Sequence, residues 1–475
     1  MKRFISLWLI CSCWLGALPA QIPVTNAMAA PYQNADSSFQ RPLKEVLNDI
    51  ASRFHVRLKV PDELVKGKML RFADWRIEPW SVEQSLTNVL APFDLKFAKE
   101  FEGVYKIKDF EYPRRTPDYG KHYLAYLSTL YTDRSSWETR KKQLKAELID
   151  AVGLNPMPKP TGSKPIITNR RHYKDYSVEN VALEILPGVY TFGCVYKPLK
   201  GTHCPIVINP TGHFADEHYR PDMQIRCAIM AKMGAIAVSY SLFAWGESQL
   251  QFKYEWHRQS IAHTIQTLNA IRWIDYLTSL KMADSTNVAI TGGSSGGSQT
   301  MLITAIDDRI KYSAPVVMTS SWFAGGCPCE SGLPIHLSGG GTNNAEIAAM
   351  CAPRPLLIVS DGKDWTSEVP VLEFPFIRRT FGFYGKSSLV ENVHLPLEGH
   401  DYGPSKRQAV YAFLAKYLGL NTKSVLKSDG TFDESQVTIE PQTAMYVFGP
   451  KGDHFPVNAV RDLETLKNRL QEAKK

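Results

Sequence analysis

Residues 287–306 contain a serine that could act as a nucleophile. The run Asn-Val-Ala-Ile-Thr-Gly-Gly-Ser-Ser-Gly-Gly-Ser-Gln-Thr-Met-Leu-Ile-Thr-Ala-Ile passes from a short β-branched stretch, through small residues, into a helical pattern. A Gly-x-Ser-x-Gly turn between a strand and a helix holds its serine in a strained conformation, and its glycines let the neighbouring backbones approach. An activated serine of this kind attacks carbonyl carbons, so the stretch predicts acyl transfer or ester hydrolysis.

Two registers of this turn fit the sequence. Ser294 and Ser295 each have a glycine two residues before and two residues after them. With Ser294 at the tip, the turn begins directly after Thr291, whereas Ser295 at the tip would require the strand to continue through Gly292. We therefore favour Ser294.

A nucleophilic serine needs an acid and a histidine, and behind a turn of this type they follow in that order along the chain. Residues 356–359 are an apolar run typical of a buried strand, and the polar segment directly after it contains Asp361 and Asp364. We favour Asp364, because it follows a glycine turn and stands further beyond the strand; Asp361 and then Glu368 are the alternatives. His400, on a later glycine-flanked loop, completes the predicted triad.

Ester hydrolysis also needs hydrogen-bond donors for the oxyanion of its tetrahedral intermediate. The backbone N–H of Ser295, directly after the favoured nucleophile, is one candidate. The second should come from the loop after the predicted strand 206–208, where the backbone of Gly212 or His213 is the candidate. The side chain of His213 could instead contact the substrate.

The elements that must position these residues begin at Ile166. Antiparallel strands come first, and strands then alternate with helices, which is the order of an α/β-hydrolase fold, a twisted and mostly parallel sheet between helices. The predicted strands are 178–186, 191–196, 206–208, 235–238, 288–290 and 356–359, and the predicted helices are 221–233, 257–280 and 297–306.

The N-terminus has the pattern of a secretory signal peptide over residues 1–29. A positively charged start precedes an apolar stretch over residues 4–18 and a small-residue region. The apolar stretch is too short for a comfortable membrane span. The small residues before the cut allow a signal-peptide cleavage site after Ala20 or after Ala29. Cys13 is a weak signal for lipid attachment as a lipoprotein. The predicted location is therefore the periplasm, with a lipid-anchored surface location as the alternative.

The composition is that of a soluble globular protein, with 44% hydrophobic and 21% charged residues among 475. Loss of residues 1–29 would lower the formal charge from +8 to +6, a mildly basic balance that suits an acidic polysaccharide. Basic runs interleaved with aromatic residues are missing, so we expect no nucleic-acid partner. Cys327-Pro-Cys329 stands next to no other Cys or His in the sequence, so we predict no metal site and no cofactor.

The segment before the sheet contains a smaller module. Apolar stripes over residues 43–54 and 82–90 predict two helices, and residues 56–60 and 95–107 predict strands. Its parts Leu43-Lys-Glu-Val-Leu, Val56-Arg-Leu-Lys-Val, Val65-Lys-Gly-Lys and Ser81-Val-Glu-Gln-Ser-Leu86 resemble the short N-terminal domain of secretins and TonB-dependent receptors. We divide the chain into a signal peptide (1–29), this small α+β module (36–110), a helical linker (111–165), a catalytic domain (166–422) and a C-terminal extension (423–475).

The catalytic segment resembles the acetylxylan-esterase-like carbohydrate esterases of the α/β-hydrolase superfamily. The resemblance lies in Ile290-Thr-Gly-Gly-Ser-Ser-Gly-Gly, Ser239-Tyr-Ser-Leu-Phe-Ala-Trp-Gly-Glu-Ser248, Ala352-Pro-Arg-Pro-Leu-Leu-Ile-Val-Ser-Asp-Gly-Lys-Asp-Trp365 and Glu398-Gly-His-Asp-Tyr-Gly403. An exported hydrolase behind such a module, with Cys327-Pro-Cys-Glu330 between nucleophile and acid, is most similar to the α/β-hydrolase pectin methylesterases of gut bacteria.

This resemblance implies a serine carboxylester hydrolase without a cofactor. The expected substrate is methyl-esterified galacturonate in pectic oligosaccharides of the plant cell wall. The alternatives are an O-acetyl esterase acting on xylan or pectin and, more remotely, a non-catalytic glycan-binding protein. Residues expected at the rim of the site, where they could bind such a substrate, are Arg220, Trp245 and Glu330.

Overall fold

The computed structural model describes residues 40–93, 95–109, 115–214 and 216–475. The predicted signal peptide, residues 1–29, lies outside these ranges. The chain divides into two compact units, residues 1–110 and 111–475. Within the described ranges, no helix combines the length and the apolar character that crossing a membrane requires.

The described part of the first unit contains three α-helices and two small sheets. Its strands are β1 (Gln40–Pro42), β2 (Arg57–Lys59), β3 (Met69–Arg71), β4 (Leu95–Phe101) and β5 (Val104–Asp109), and its helices are α1 (Leu43–Arg53), α2 (Asp62–Val65) and α3 (Val82–Leu90). Strands β2, β5 and β4 form a sheet in that order. The stripe Leu43, Val46, Leu47 and Ile50 is fully buried, as its helical spacing predicts. The likeness to the secretin and TonB-receptor module stays a prediction.

The described part of the second unit is built on one sheet of nine strands in the order β14-β13-β12-β11-β9-β10-β8-β7-β6. These strands are β6 (Ile166–His172), β7 (Tyr176–Leu186), β8 (Val189–Pro198), β9 (Cys204–Pro210), β10 (Ile236–Tyr240), β11 (Ala283–Gly293), β12 (Ile310–Val316), β13 (Leu356–Asp361) and β14 (Val390–Leu395). Strands β6 to β8 and the β8–β10 pair are antiparallel, and β9 to β14 are parallel to one another.

Helices cover both faces of this sheet. They are α4 (Pro117–Leu130), α5 (Arg134–Ala151), α6 (Pro221–Lys232), α7 (Ile261–Thr278), α8 (Ser295–Ile306), α9 (Pro328–Ser331), α10 (Asn344–Ala349), α11 (Glu373–Gly382), α12 (Pro404–Leu418), α13 (Gln442–Met445) and α14 (Leu463–Glu472). One core contains residues of α7 and α8, and the other contains residues of α6 and α12. This arrangement confirms the predicted α/β-hydrolase fold.

The segment predicted as a helical linker is part of the second unit's core. Helices α4 and α5 bury Leu124, Leu127, Trp137 and Leu144 in the same apolar cluster as α7 and α8. The sequence pattern did not reveal this, because the charged face of α5 masks its apolar stripe. The C-terminal extension is also packed: its Phe448 lies against Tyr190 and Phe192 of β8.

The parallel strands bring the predicted site residues to one edge of the sheet. The carboxyl ends of parallel strands meet at the same edge, where ligand sites of open α/β sheets form. The loop after β9 carries Gly212, the turn after β11 carries Ser294, and the loops after β13 and β14 carry Asp364 and His400.

Candidate active site

Ser294 occupies a strained turn between β11 and α8. Its φ and ψ of 57° and −124° lie in a region that residues with side chains rarely adopt. Its backbone N–H donates to the carbonyl of Val316 at 3.1 Å, and its carbonyl accepts from the N–H of Gly297 at 2.7 Å. Neighbouring strand and helix therefore hold the backbone of Ser294 in the conformation of a nucleophile elbow.

The flanking glycines are required by close backbone contacts. A Cβ atom on Gly292 would lie 2.5 Å from the carbonyl oxygen of Gly296 and 2.7 Å from that of Pro210. A Cβ atom on Gly296 would overlap the same Pro210 carbonyl. Strands β9 and β11 and helix α8 thus meet at a point where only glycine fits.

The two serines of the turn have different surroundings. Ser294 is partly exposed, whereas Ser295 is the first residue of α8 and is fully buried. The Oγ atom of Ser295 lies 3.8 Å from the Sγ atom of Cys329. A buried hydroxyl against a cysteine is poorly placed to meet a polymeric substrate, so the geometry favours Ser294 at the tip.

Asp364 and His400 are hydrogen-bonded to each other. Nδ1 of His400 lies 2.6 Å from Oδ2 of Asp364, and Oδ1 of Asp364 accepts from both the backbone N–H and the hydroxyl of Thr366 at 2.6 Å. Burial alone would raise the pKa of Asp364, but these donors lower it below its ordinary value. The carboxylate accepts, so Nδ1 carries the proton and Nε2 of His400 presents its lone pair.

The alternative acids do not approach His400 in this way. Asp361 accepts from the backbone N–H of Lys363, and its other carboxyl oxygen lies 3.5 Å from Nζ of Lys406. Burial, together with the nearby charge of Asp364, raises the pKa of Asp361 to about 6. The pKa values of two neighbouring carboxyl groups are thus shifted in opposite directions, and the carboxyl group with the lowered pKa faces the imidazole.

The loop that carries His400 is tied to the elbow strand. The hydroxyl of Tyr402, two residues after His400, lies 2.7 Å from the hydroxyl of Thr291, three residues before Ser294. Nζ of Lys406 donates to the carbonyl of Gly399 at 2.8 Å and to Asp401 at 2.6 Å. These bonds place the imidazole loop beside the nucleophile turn.

The loop predicted to supply an oxyanion donor also lies against the elbow. A Cβ atom on Gly212 would stand 2.7 Å from the carbonyl oxygen of Gly293, so the two backbones are in close contact. The side chain of His213 points elsewhere: its Nε2 lies 2.9 Å from Nε2 of His257 and 3.0 Å from Sγ of Cys329. The backbone of Gly212 and His213 remains the predicted donor, together with the N–H of Ser295.

Comparison with known proteins identifies the family. A solved structure named Methylesterase BT1017 is 49% identical to this chain, covers 93% of it and 99% of its own length, and superposes with a TM-score of 0.74. The chain belongs to the family of Methylesterase BT1017. No family model matches the sequence, and no curated protein is similar to it.

Two esterases of much lower sequence identity are also among the similar solved structures. An acetyl xylan esterase from Paenibacillus sp. R4 is 16% identical, covering 58% of this chain and 94% of its own, with a TM-score of 0.41. A glucuronoyl esterase from Solibacter usitatus is 14% identical, covering 60% of this chain and 94% of its own, with a TM-score of 0.43.

Of the predicted rim residues, Glu330 is buried rather than exposed at a rim. It is 5% exposed, its carboxylate accepts from the backbone N–H of Gly326 and Cys327 at 3.2 Å, and the hydroxyl of Ser298 donates to it at 3.2 Å. A carboxylate used in this way holds its own loop rather than a substrate. Trp245 is partly exposed, with its ring 5.3 Å from that of His213.

The sequence did not predict several residues that lie near the site. The ring of Trp365 lies 4.3 Å from that of His400, and Lys406 and Tyr402 position the imidazole loop. The sequence places no Cys or His beside Cys327-Pro-Cys329, but in the structure two histidines, His213 and His257, lie next to these cysteines. No local signal marks His257, since its partners come from distant parts of the chain.

Replacing Lys406 by methionine should destabilise the protein and slow catalysis. Lys406 is fully buried, and its loss leaves the buried Asp361 carboxylate without a counter-charge, a change that typically costs about 3–5 kcal/mol. With Lys406 present, the pKa of Asp361 is about 6, and loss of this cation raises it further, so Asp361 is protonated in both proteins at pH 5. The destabilisation should therefore be smaller at pH 5 than at pH 8. Denaturant unfolding of the wild type and the variant at the two pH values measures this difference in the free energy of unfolding.

Lys416→Met is the matched control on the same helix. Its side chain is 60% exposed and pairs with Glu391 at 2.8 Å, so its loss should change the free energy of unfolding by less than about 1 kcal/mol at either pH. Equal effects of the two substitutions would contradict the role given to Lys406.

Proposed function

We propose that this protein is a serine carboxylester hydrolase that removes methyl groups from esterified galacturonate in pectic oligosaccharides. The observation that carries the proposal is the 49% identity to Methylesterase BT1017 over 93% of the chain. The bonded Asp364–His400 pair and the elbow at Ser294 supply a chemistry that suits it.

The proposed reaction proceeds in two steps. Nε2 of His400 accepts the proton of Ser294 as its Oγ attacks the ester carbonyl, and the same proton then passes to the departing methoxide to give methanol. Asp364 holds the imidazole through Nδ1 and stabilises its positive charge. The N–H groups of Ser295 and of the Gly212–His213 segment stabilise the oxyanion. Water then releases the galacturonate carboxylate from Ser294 by the same route.

Product analysis tests the substrate assignment directly. The purified protein should release methanol from methyl-esterified pectic oligosaccharides and little acetate from O-acetylated pectin or xylan. Acetate release without methanol would establish the O-acetyl esterase alternative. Binding of these oligosaccharides with no ester cleaved at all would indicate a non-catalytic glycan-binding protein.

Arg220 is the proposed partner for substrate carboxylates. Its guanidinium lies 4.5 Å from the centre of the Phe214 ring, and that ring lies 6.4 Å from the ring of His400. Its Nε donates to Asp222 at 2.7 Å, and 30% of its side chain is exposed. A pectic oligosaccharide carries free carboxylates beside the esterified sugar, and the planar fork of arginine can bind both oxygens of one of them.

Replacing Arg220 by alanine should weaken hydrolysis of a methyl-esterified galacturonate oligomer about tenfold or more, or at least ~1.4 kcal/mol in transition-state binding. A small neutral methyl ester should be cleaved almost as before, because it has no neighbouring carboxylate. Rising salt should depress the first activity in the wild type and spare the second. Measurement of kcat/KM for both esters at two salt concentrations tests this.

Arg309→Ala is the control that removes the same charge elsewhere. Arg309 precedes β12 and pairs with Asp307 and Asp275, so it lies at the opposite edge of the sheet from the elbow. This variant should keep the wild-type ratio of the two activities. Equal losses on both esters in Arg220→Ala would show that Arg220 supports Phe214 and the catalytic loop rather than the substrate.

We also propose that the protein is exported to the periplasm. The proposal rests on the charged, apolar and small-residue zones of residues 1–29. Cell fractionation of the native host with an antibody against this chain tests it, and recovery of the full-length chain from the cytoplasm would contradict it.

A further inference from the structure

Four potential metal ligands meet in one place beneath the elbow. They are His213 in the loop after β9, His257 before α7, and Cys327 and Cys329 at α9. One ligand atom from each lies within 4.8 Å of every other. His257 and both cysteines are at most 3% exposed, and the side chain of His213 is 22% exposed.

The two imidazoles direct their Nε2 atoms into this cluster. Nδ1 of His257 lies 2.6 Å from the carbonyl oxygen of Phe243 and therefore donates to it, so Nε2 of the neutral ring carries a lone pair. Nδ1 of His213 faces Oε2 of Glu330 at 3.9 Å, and its Nε2 lies 2.9 Å from that of His257. A hydrogen bond from the other ring nitrogen to a carbonyl, as in His257, is what orients metal-binding histidines.

The donor set and its spacing fit one cation in particular. Two imidazole nitrogens and two thiolate sulfurs are a set that structural zinc sites use. A tetrahedral zinc ion with Zn–N of about 2.0 Å and Zn–S of about 2.3 Å separates its ligand atoms by roughly 3.3–3.8 Å. The two Nε2 atoms lie 2.9 Å apart, and Nε2 of His213 lies 3.0 Å from Sγ of Cys329. These pairs would have to move apart by roughly half an ångström to reach the separations of a tetrahedral zinc site.

We propose that His213, His257, Cys327 and Cys329 bind a structural Zn²⁺ ion. Four protein ligands close the coordination shell, which separates this site from catalytic zinc sites that keep a position for water. The ion joins three segments that are distant in the sequence. Its binding does not depend on the proposed substrate and can be measured without any activity assay.

The site would fix the loop that lies against the nucleophile turn. His213 directly follows Gly212, whose backbone contacts Gly293, and Cys329 lies against Ser295 at 3.8 Å. A zinc ion held by His213 and Cys329 therefore sets the distance between the two predicted sources of oxyanion donors. Small displacements of such donors cost large factors in rate.

Metal analysis of the full-length protein tests the proposal. Wild-type protein produced with zinc in the medium and washed in metal-free buffer should contain about one zinc per chain, and Cys329→Ser should contain almost none. Cys351→Ser is the matched control, because Cys351 is also a buried free thiol but bonds only to the carbonyls of Arg354 and Pro355 among its described contacts. It should keep its zinc.

Two measurements on the wild type keep the test decisive if Cys329→Ser does not fold. Protein refolded with Co²⁺ should show thiolate-to-cobalt charge-transfer absorption, and metal-free protein should gain thermal stability on adding Zn²⁺. Wild-type protein without stoichiometric zinc would overturn the proposal. So would a Cys327–Cys329 disulfide seen by mass spectrometry of the native protein, or zinc content unchanged in folded Cys329→Ser.

Discussion

Ser294→Ala should reduce kcat for methyl-ester hydrolysis by a factor on the order of 10⁵, since a nucleophile that acts as a unit with its base leaves only residual catalysis when removed. The fold should be unaffected. Alanine keeps the Cβ atom that the strained backbone at φ 57° already accommodates, and only the Oγ atom is lost. Single-turnover kinetics with a methyl-esterified oligomer and thermal unfolding of the same sample measure the two parts of this expectation.

The neighbouring serine provides the control for the register. Ser295→Ala removes a buried hydroxyl beside Cys329 but keeps the backbone N–H that is the predicted oxyanion donor. Its kcat should stay within about tenfold of the wild type. A severe loss in Ser295→Ala with an active Ser294→Ala would place the nucleophile one residue later.

The sequence singles out the residues of the predicted triad because their signals are local. A stretch of a few residues is enough to recognise a glycine-flanked serine between a β-branched run and a helix. The same is true of an acid that directly follows the apolar run 356–359. The choice between Asp361 and Asp364 could not be settled this way. It depends on which carboxylate meets His400, and the hydrogen bond to Asp364 is a tertiary contact.

Two parallel strands were missed for a physical reason. Strand β12 contains Pro315 and Lys311, and β14 contains Glu391, Asn392 and His394, so neither is the continuous apolar run that a buried parallel strand usually shows. Both lie beside β13 in the sheet, where β-sheet pairing overrides their weak local preference.

The sequence could predict neither the cluster of His213, His257, Cys327 and Cys329 nor the packing of the C-terminal extension. Cys327 and Cys329 find their histidines only because the loop after β9 and the segment before α7 fold to the same edge. Likewise, Glu440 of the extension forms an ion pair with Arg171 of β6 and accepts a hydrogen bond from Tyr173, directly after that strand. Contacts between residues so far apart leave no periodic pattern in one sequence.

Asp364→Asn should lower kcat by a factor on the order of 10³–10⁴ with little change in KM, through the proton position on His400. Thr366 donates two hydrogen bonds to Oδ1, so the amide oxygen of asparagine should take that position. Its NH₂ group would then face Nδ1 of His400 as a donor. The imidazole would have to accept through Nδ1 and carry its proton on Nε2, where it cannot take a proton from Ser294.

Asp361→Asn separates this tautomer effect from a general loss of negative charge in the loop. Asp361 faces Lys406 and the N–H of Lys363, and with its pKa near 6 it is already close to neutral in mildly acidic solution. The substitution should therefore cost less than about tenfold in kcat, and its effect should shrink as the pH falls below 6, where the wild-type carboxyl is itself protonated.

NMR of the imidazole nitrogens in both variants reads the proton position directly: Asp361→Asn should keep the proton on Nδ1 of His400, and Asp364→Asn should move it to Nε2. A larger loss in Asp361→Asn, or an unchanged tautomer in an inactive Asp364→Asn, would assign the acid to Asp361 or to a role other than orienting His400.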